Sequence, residues 1–541
     1  MAKLANINTT DIKGAIALGC RTMQNVFNAD DDNVPFFATW ITPRKKSSET
    51  RLAFNTAVSE SHVPGRHLNA LLNAEEAAGI QIDEQAIGNH AKALFLAHSG
   101  PLKLSCNRGR IGDGPLKSFS GHNTREAFHG LYALAKYRDH GKARKTAKIA
   151  IDTFFDFWDP DSGWDNDRIR TLGIQTSGKD FIGTVARTIG PLVKYFRATG
   201  DGRALELAIK IKEKTIGQYF LEDGAYRPSR TPVMKWTERT YTPGEFTVHT
   251  HSVTCTMSSL AQLADLTNDS NLMNRVRAFY DNGLWDMRDQ LGWVLEVFGD
   301  DCNCDRGEIN NTGDIVETAL ILGRWGYPQY FEDAERILRC HLLPSQLRDN
   351  SFIIDPPNPD NEDARRNVAD RHLGAFGFPA PYGHCPLGLD LISFNLDIVG
   401  GAVGSLCEVL REATRFDAAG HWVNLLFDHE TDAIQVKSPY THDQLQVTIK
   451  RPGPLFVRIP SWVDRNRLEL DASDTQPRYT NDYLFFATPT VSKPISFKFD
   501  LPTQELVLKH RDRNIRVRMR GDEVAAMDNF GADLTFFDPF L

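Results

Sequence analysis

Residues 181–220 read FIGTVARTIGPLVKYFRATGDGRALELAIKIKEKTIGQYF. In the first half, Ile182, Val185, Ile189, Leu192 and Phe196 recur at alternating spacings of three and four. That spacing lines one face of a helix. Thr199-Gly200-Asp201-Gly202 then stops the helix and turns the chain. A second helix follows from Arg203. The same rhythm of long helix, short turn and long helix recurs around 122–158, 249–285, 314–343 and 391–414. No repeat of fixed length accompanies it, which argues against a solenoid.

Long irregular stretches separate the helix pairs, at 159–167, 227–246, 298–313 and 349–389. They carry Trp, Arg, His and acids rather than the Ser, Gln and Lys of disorder, so they predict loops that build one rim of a cavity. Near residue 415 the period changes. Leu445, Val447 and Ile449 alternate with polar residues, as do Leu455, Val457 and Ile459, then Ile495, Phe497 and Phe499, then Ile515 and Val517. Period two with Pro and Gly between runs predicts short antiparallel strands. The fold expected is mainly α: a closed helical toroid over residues 1–415, followed by a C-terminal antiparallel β-sandwich over 416–541.

The bulk numbers exclude several classes. The 541 residues carry a formal charge of −8, which argues against a polyanion-binding surface and hence against nucleic acid. No stretch approaches the roughly 20 apolar residues of a membrane span. The N-terminus, MAKLANINTT, has no apolar signal core, so a cytoplasmic chain is expected. Eight cysteines scattered over this length read as buried free thiols, not a disulfide framework. The glycines of 299–313 do not form a nucleotide-binding loop.

Chemistry concentrates in GDDCNCDRGEINNTGDIVETALILGRW, residues 299–325. An acid-rich loop runs into a helix on which Asp314 and Glu317 share a face. A helix cap is the plain role for Asp314. The apolar residues Ile315, Val316, Leu320 and Ile321 instead imply a buried helix, where acids are costly unless paired or functional. Glycoside hydrolysis needs carboxyl groups on either side of the scissile bond, and Glu308, Asp314 and Glu317 are the catalytic candidates. Substrate-binding candidates come from helix starts and loops: His122, Arg125, Trp236, Arg239, Tyr241, His249, His251, His372 and His384. Trp164, Trp293 and Tyr382 add further rings able to stack on sugars. Arg227, Arg230 and Arg371 join Arg239 as clamps for a uronate carboxylate.

The Gly307-Glu308…VETA arrangement, the SGHNTREAFHGLYALAKY helix, VGSLCEVL, VNLLFD and above all LFVRIPSWV resemble glycoside hydrolase family 127 and its relatives, which include the β-L-arabinofuranosidase-type enzymes. The resemblance implies an (α/α)6 barrel with β-sandwich additions, exo-glycosidase activity and Glu308 as acid/base residue. Those enzymes use a zinc-bound cysteine nucleophile. Here the position two residues after Glu317 is Ala319, and Phe394–Ile398 lacks the paired cysteines. Glu308 also lies closer to Glu317 than the family pattern has it. The cysteine–zinc mechanism is therefore not expected, and a distant branch such as the uronidase-like family 154 fits better. No cofactor is expected. A rearranged zinc site would have to draw on Cys302, Cys304, His384 and Cys385.

The expected function is a glycosidase using carboxylate acid/base chemistry on a carbohydrate, with a uronic acid or a pentofuranose as substrate. Assembly into a homo-oligomer is left open. The competing readings are a polysaccharide lyase, with His249, His251 and Tyr241 as proton-transfer groups, and a sugar isomerase or epimerase.

Overall fold

The computed structural model describes residues 3–41, 50–108, 116–178, 180–227, 248–298, 305–387, 392–472, 476–510 and 513–540. The helices in chain order are α1 (Ile12–Met23), α2 (Val63–Ala78), α3 (Glu84–Ala97), α4 (Thr124–Tyr137), α5 (Gly141–Phe157), the short α6 (Asn166–Thr171), α7 (Ile189–Thr199), α8 (Gly202–Gln218), α9 (Thr250–Thr267), α10 (Ser270–Asp281), α11 (Ile309–Arg324), α12 (Gln329–Ile337), the short α13 (Val368–His372) and α14 (Leu396–Ala413).

Six of them pack in a cycle: α2 on α4, α4 on α7, α7 on α9, α9 on α11, α11 on α14, and α14 back on α2. Each has an outer partner, α3, α5, α8, α10, α12 and α1 respectively. The first helix of the chain therefore backs the last inner one, and the two ends of this region close the ring. Small residues let the inner helices approach. A Cβ on Gly65 of α2 would lie 1.9 Å from the Glu126 carbonyl oxygen of α4. A Cβ on Gly401 of α14 would lie 2.0 Å from Asn310 Oδ1 of α11.

The helix expected from Ile182 starts only at Ile189. Residues 181–188 form turns and a short 3-10 segment, fixed by Asp180, whose carboxylate accepts from Gly183 N at 2.5 Å. The apolar spacing of Ile182 and Val185 survives because both still pack into the core.

Two five-stranded sheets follow α14. One runs in the order 414–417, 420–423, 455–458, 483–486, 478–480; the other 429–430, 434–437, 445–449, 495–498, 469–471. Val423, Leu455, Val457, Leu484 and Phe486 of the first face Ile434, Val436, Leu445, Val447, Ile449, Ile495 and Phe497 of the second across one apolar layer. The expected purely antiparallel pairing is corrected in one place. His421–Val423 pairs parallel to Leu455–Val457, because the chain forms most of the second sheet before returning to the first. The last three strands, Thr503–Lys509, Asn514–Arg520 and Glu523–Met527, form a separate sheet. Its Leu508, Ile515, Val517 and Met519 join the helical core.

The structure also explains LFVRIPSWV. Arg458, almost completely buried, donates from Nη2 to Glu335 Oε2 of α12, while Arg339 donates to Glu335 Oε1 at 2.9 Å. Ser461 binds Glu332, and Trp462 Nε1 donates to Asp522 at 3.0 Å. This strand docks the sandwich onto the helices; charges this deeply buried require such pairing.

Candidate active site

The six inner helices begin at one rim, and side chains from their starts meet on the ring axis. The hub is Glu126 of α4, which is fully buried. Its Oε1 accepts from three guanidinium groups: Arg66 of α2 at 2.5 Å, Arg187 at 2.9 Å and Arg125 at 3.0 Å. The late start of α7 is what brings Arg187 to this point. Arg66 continues to Asp397 of α14 at 2.8 Å, and His62 Nε2 lies 3.2 Å from the same carboxylate oxygen. Burial opposes ionisation of Glu126, but Arg187, His62, Arg66 and Arg125 outweigh it and hold its carboxyl well below the usual range. Asp397 is lowered likewise, burial being outweighed by Arg66 and His62. The converging helix N-termini favour these anions further.

Glu308 occupies the N-cap position of α11, with extended backbone (φ −141°, ψ 125°) and a side chain that caps nothing. Its carboxylate instead meets His249, whose Nε2 lies 3.1 Å from Oε2, and accepts from Asn310 at 3.0 Å on Oε1. Burial alone would raise Glu308. The hydrogen bond and charge of His249, with Asn310 and Arg66, bring it below its ordinary value. Four imidazoles follow one another around this rim: His62, His122, His249 and His251, with centroids 5.6, 5.6 and 5.7 Å apart. Arg187 Nη1 lies 2.5 Å from Nδ1 and 2.7 Å from Nε2 of His122, and the Gly183 carbonyl lies 2.8 Å from the same Nδ1.

Asp314 is not the helix cap that its position suggested; Glu308 is, and Asp314 lies more than a turn inside α11. It accepts from Thr254 of α9 at 2.9 Å and lies 3.6 Å from Arg125. Burial pushes its carboxyl up to about 7, against Arg125 and with help from Glu317. His251 joins the two acids: Nδ1 lies 3.5 Å from Glu308 and Nε2 3.5 Å from Asp314. Burial, then Arg187, Arg66 and Arg125, hold this imidazole neutral. Glu317 sits one turn deeper, accepting from Ser258 at 3.1 Å and Ser405 at 2.8 Å. A cavity of about 30 Å³ on the axis touches Arg125, His251, Asp314 and Glu317.

Thus His122, Arg125, His249, His251, Glu308 and Asp314 come together, and Glu317 lies just beneath. His372 and His384 do not join them. Both are buried against Phe394, at 5.9 and 5.5 Å, with His372 Nδ1 2.6 Å from the Val368 carbonyl. Arg371 donates to the Asn25 and Phe27 carbonyls and is structural. Trp164 packs on Phe119 and Phe154, Trp293 donates to the Pro379 carbonyl, and Tyr382 donates to Asp305. These three rings anchor loops. Trp236, Arg239 and Tyr241 lie outside the described residues, as do Arg230, Cys302 and Cys304. Sequence reasoning missed His62, Arg66, Arg187, Asn310 and Asp397. The signal for the first two is their i,i+4 spacing at the start of α2, which places them on one helix face.

Among the described residues, two triads bring ligand-type atoms within 4.8 Å of one another: His249, His251 and Glu308, and His251, Cys255 and Asp314. Arg187 Nη2 lies 3.4 Å from His251 Nδ1, so an ion on that nitrogen would face a guanidinium group. The cations that this chain itself brings to its buried carboxylates are arginines.

No protein-family model and no curated protein matches the chain. Solved structures do. A GH127 β-arabinofuranosidase has a TM-score of 0.55 at 13% identity, covering 94% of this chain and 79% of that one. A GH127 β-L-arabinofuranosidase from Geobacillus stearothermophilus T6 has 0.55 at 12%, covering 96% and 86%. A further glycoside hydrolase has 0.50 at 12%, covering 85% and 76%. At such identities the likeness is one of fold, and that fold is shared with glycoside hydrolases.

Proposed function

We propose that this chain is an exo-acting glycoside hydrolase on an (α/α)6 barrel, with Glu308 as its acid/base residue. The observation that carries the reading is the pair of opposed carboxyl groups on either side of His251. Glu308, at the rim, is favoured ionised by His249 and Asn310, whereas burial pushes the carboxyl of Asp314, beneath it, up to about 7. Carboxyl groups driven apart in this way are how one site holds both an acid and a base at neutral pH. Glu308 exchanges a proton with the glycosidic oxygen as the glycosidic bond breaks.

Glu126 engages Arg66, Arg125 and Arg187, and the clamp candidates Arg230 and Arg239 lie outside the described residues, so a uronic acid and a neutral sugar such as a pentofuranose both belong on the panel. The arabinofuranosidases that share the fold make a furanoside the first substrate to try. The row of four imidazoles favours one second reading, proton transfer at a sugar carbon as in an epimerase.

A panel of nitrophenyl glycosides, uronides and plant and bacterial oligosaccharides tests this. The expected result is a released sugar with a new reducing end. An unsaturated, ultraviolet-absorbing product would make the enzyme a lyase, and an isomerised sugar with every glycosidic bond intact would make it an epimerase.

A further inference from the structure

As a proton donor Glu308 has a chemical problem. His249 and Asn310 both stabilise its ionised form, yet leaving-group departure needs a proton. Resting on Glu308 as the acid/base residue, we propose that Asp314 stores the proton for Glu308 and that His251 passes it between them.

The geometry is a carboxyl–imidazole–carboxyl line. Each ring nitrogen of His251 faces one acid, at 3.5 Å on both sides. Neither contact is a hydrogen bond as the side chains stand, and catalytic contacts shorten when substrate binds. Asp314 is 4% exposed and His251 2%, so the line is shut off from bulk water. The cavity of about 30 Å³ beside it has room for only one or two waters.

The shift balances without any other reactant. In the loaded state Asp314 carries the proton, His251 is neutral with its hydrogen on Nδ1, and Glu308 is ionised. Asp314 gives its proton to Nε2 while Nδ1 gives its own to Glu308. The result is ionised Asp314, neutral His251 protonated on Nε2, and protonated Glu308 ready to donate. Net charge is unchanged. Arg187 Nη2, 3.4 Å from Nδ1, can donate to that nitrogen once its hydrogen has left.

Among the described residues, charged and polar groups from four of the inner helices face the line. Asp314 is faced by Arg66 from α2, Arg125 from α4, Thr254, His251 and Cys255 from α9, and Glu317 on its own helix. His251 is faced by Arg187 from the segment before α7 and by His249. The nearest acid of α14, Asp397, is engaged by Arg66 and His62. Burial brings Asp314 to a value at which it can hold and yield a proton near neutrality. Asp314 never touches substrate in this scheme; it is a positioning residue for the proton.

The test has two arms on the full chain. In the first, carboxyl bands are titrated by infrared spectroscopy in wild type, Asp314→Asn, Asp314→Glu and His251→Gln. Wild type and Asp314→Glu are expected to show a carboxyl titrating near neutrality, with the Glu308 band moving in step. Asp314→Asn loses the neutral titration, and His251→Gln uncouples the two bands. A neutral titration that persists in Asp314→Asn, or a Glu308 band that never responds, overturns the proposal. In the second arm the alkaline limb of the pH–rate profile moves to lower pH in Asp314→Asn, and Asp314→Glu restores it. A merely structural role would lower the rate and leave the limb in place, which also overturns the proposal. If no glycoside is turned over while the bands remain coupled, the glycosidase reading fails and the proton line stands.

Discussion

Glu308 gives its backbone to the N-cap of α11 and its carboxylate to His249, whose Nε2 lies 3.1 Å from Oε2. An N-cap Ser, Thr, Asp or Asn would close on the first turn of its own helix, a contact worth about 1 kcal/mol. The longer glutamate forgoes that bond and reaches the ring axis.

Burial would raise Glu308 were it not for His249. His249→Ala should therefore raise the pH at which the Glu308 carboxyl ionises, read as an upward move of its infrared band titration. Far-ultraviolet circular dichroism should be unchanged. A Glu308 band that titrates as in wild type would show that the imidazole does not govern this carboxylate.

Glu126 gathers Arg66, Arg125 and Arg187 on one oxygen. Glu126→Gln leaves three buried guanidinium groups short of their counter-charge and should cost about 3–5 kcal/mol, read as a fall in midpoint during urea unfolding. Because its folded value lies below the unfolded one, its contribution is present above the unfolded value and is lost as pH falls through the folded value. The gap between wild type and Glu126→Gln should accordingly close in acid.

Asp314 has the opposite sign. Burial pushes its folded carboxyl up to about 7, from an ordinary 3.8. Stability contributed by the bound proton is complete below the unfolded value and declines as pH rises towards 7, by about 4 kcal/mol in all. Wild-type Tm should fall between about pH 4 and pH 7, and Asp314→Asn should show a smaller decline. Parallel curves for the two proteins would contradict the burial argument.

Gly65→Ala tests how the ring is closed. In an open helix the change would gain about 1 kcal/mol of propensity. Here the new Cβ would stand 1.9 Å from the Glu126 carbonyl oxygen, which is backbone and cannot swing away. Overpacking of about 1–3 kcal/mol should win, lowering Tm.

Helix faces and strands were legible because burial imposes a period. The spacing of Leu192 and Phe196, and the alternation of Leu445, Val447 and Ile449, lead directly to α7 and to the sandwich. The parallel pairing of His421–Val423 with Leu455–Val457 was not legible, since both orders alternate alike along the strand. In the site, His249, His251 and Glu308 could be found because polar groups crowd a helix start. Arg187 could not, since its place depends on α7 beginning late, a local departure from the apolar period. His384 misled for the converse reason. It lies in a loop rich in functional residue types, yet its ring packs edge-on against Phe536 at 4.9 Å in the core.

The most direct measurement compares wild type with Glu308→Gln on whichever furanoside or other glycoside of the panel is cleaved, following sugar release and Tm together. The account predicts that kcat falls about 10²–10⁴-fold while Tm stays close to wild type. Undiminished sugar release by a folded Glu308→Gln enzyme would contradict it.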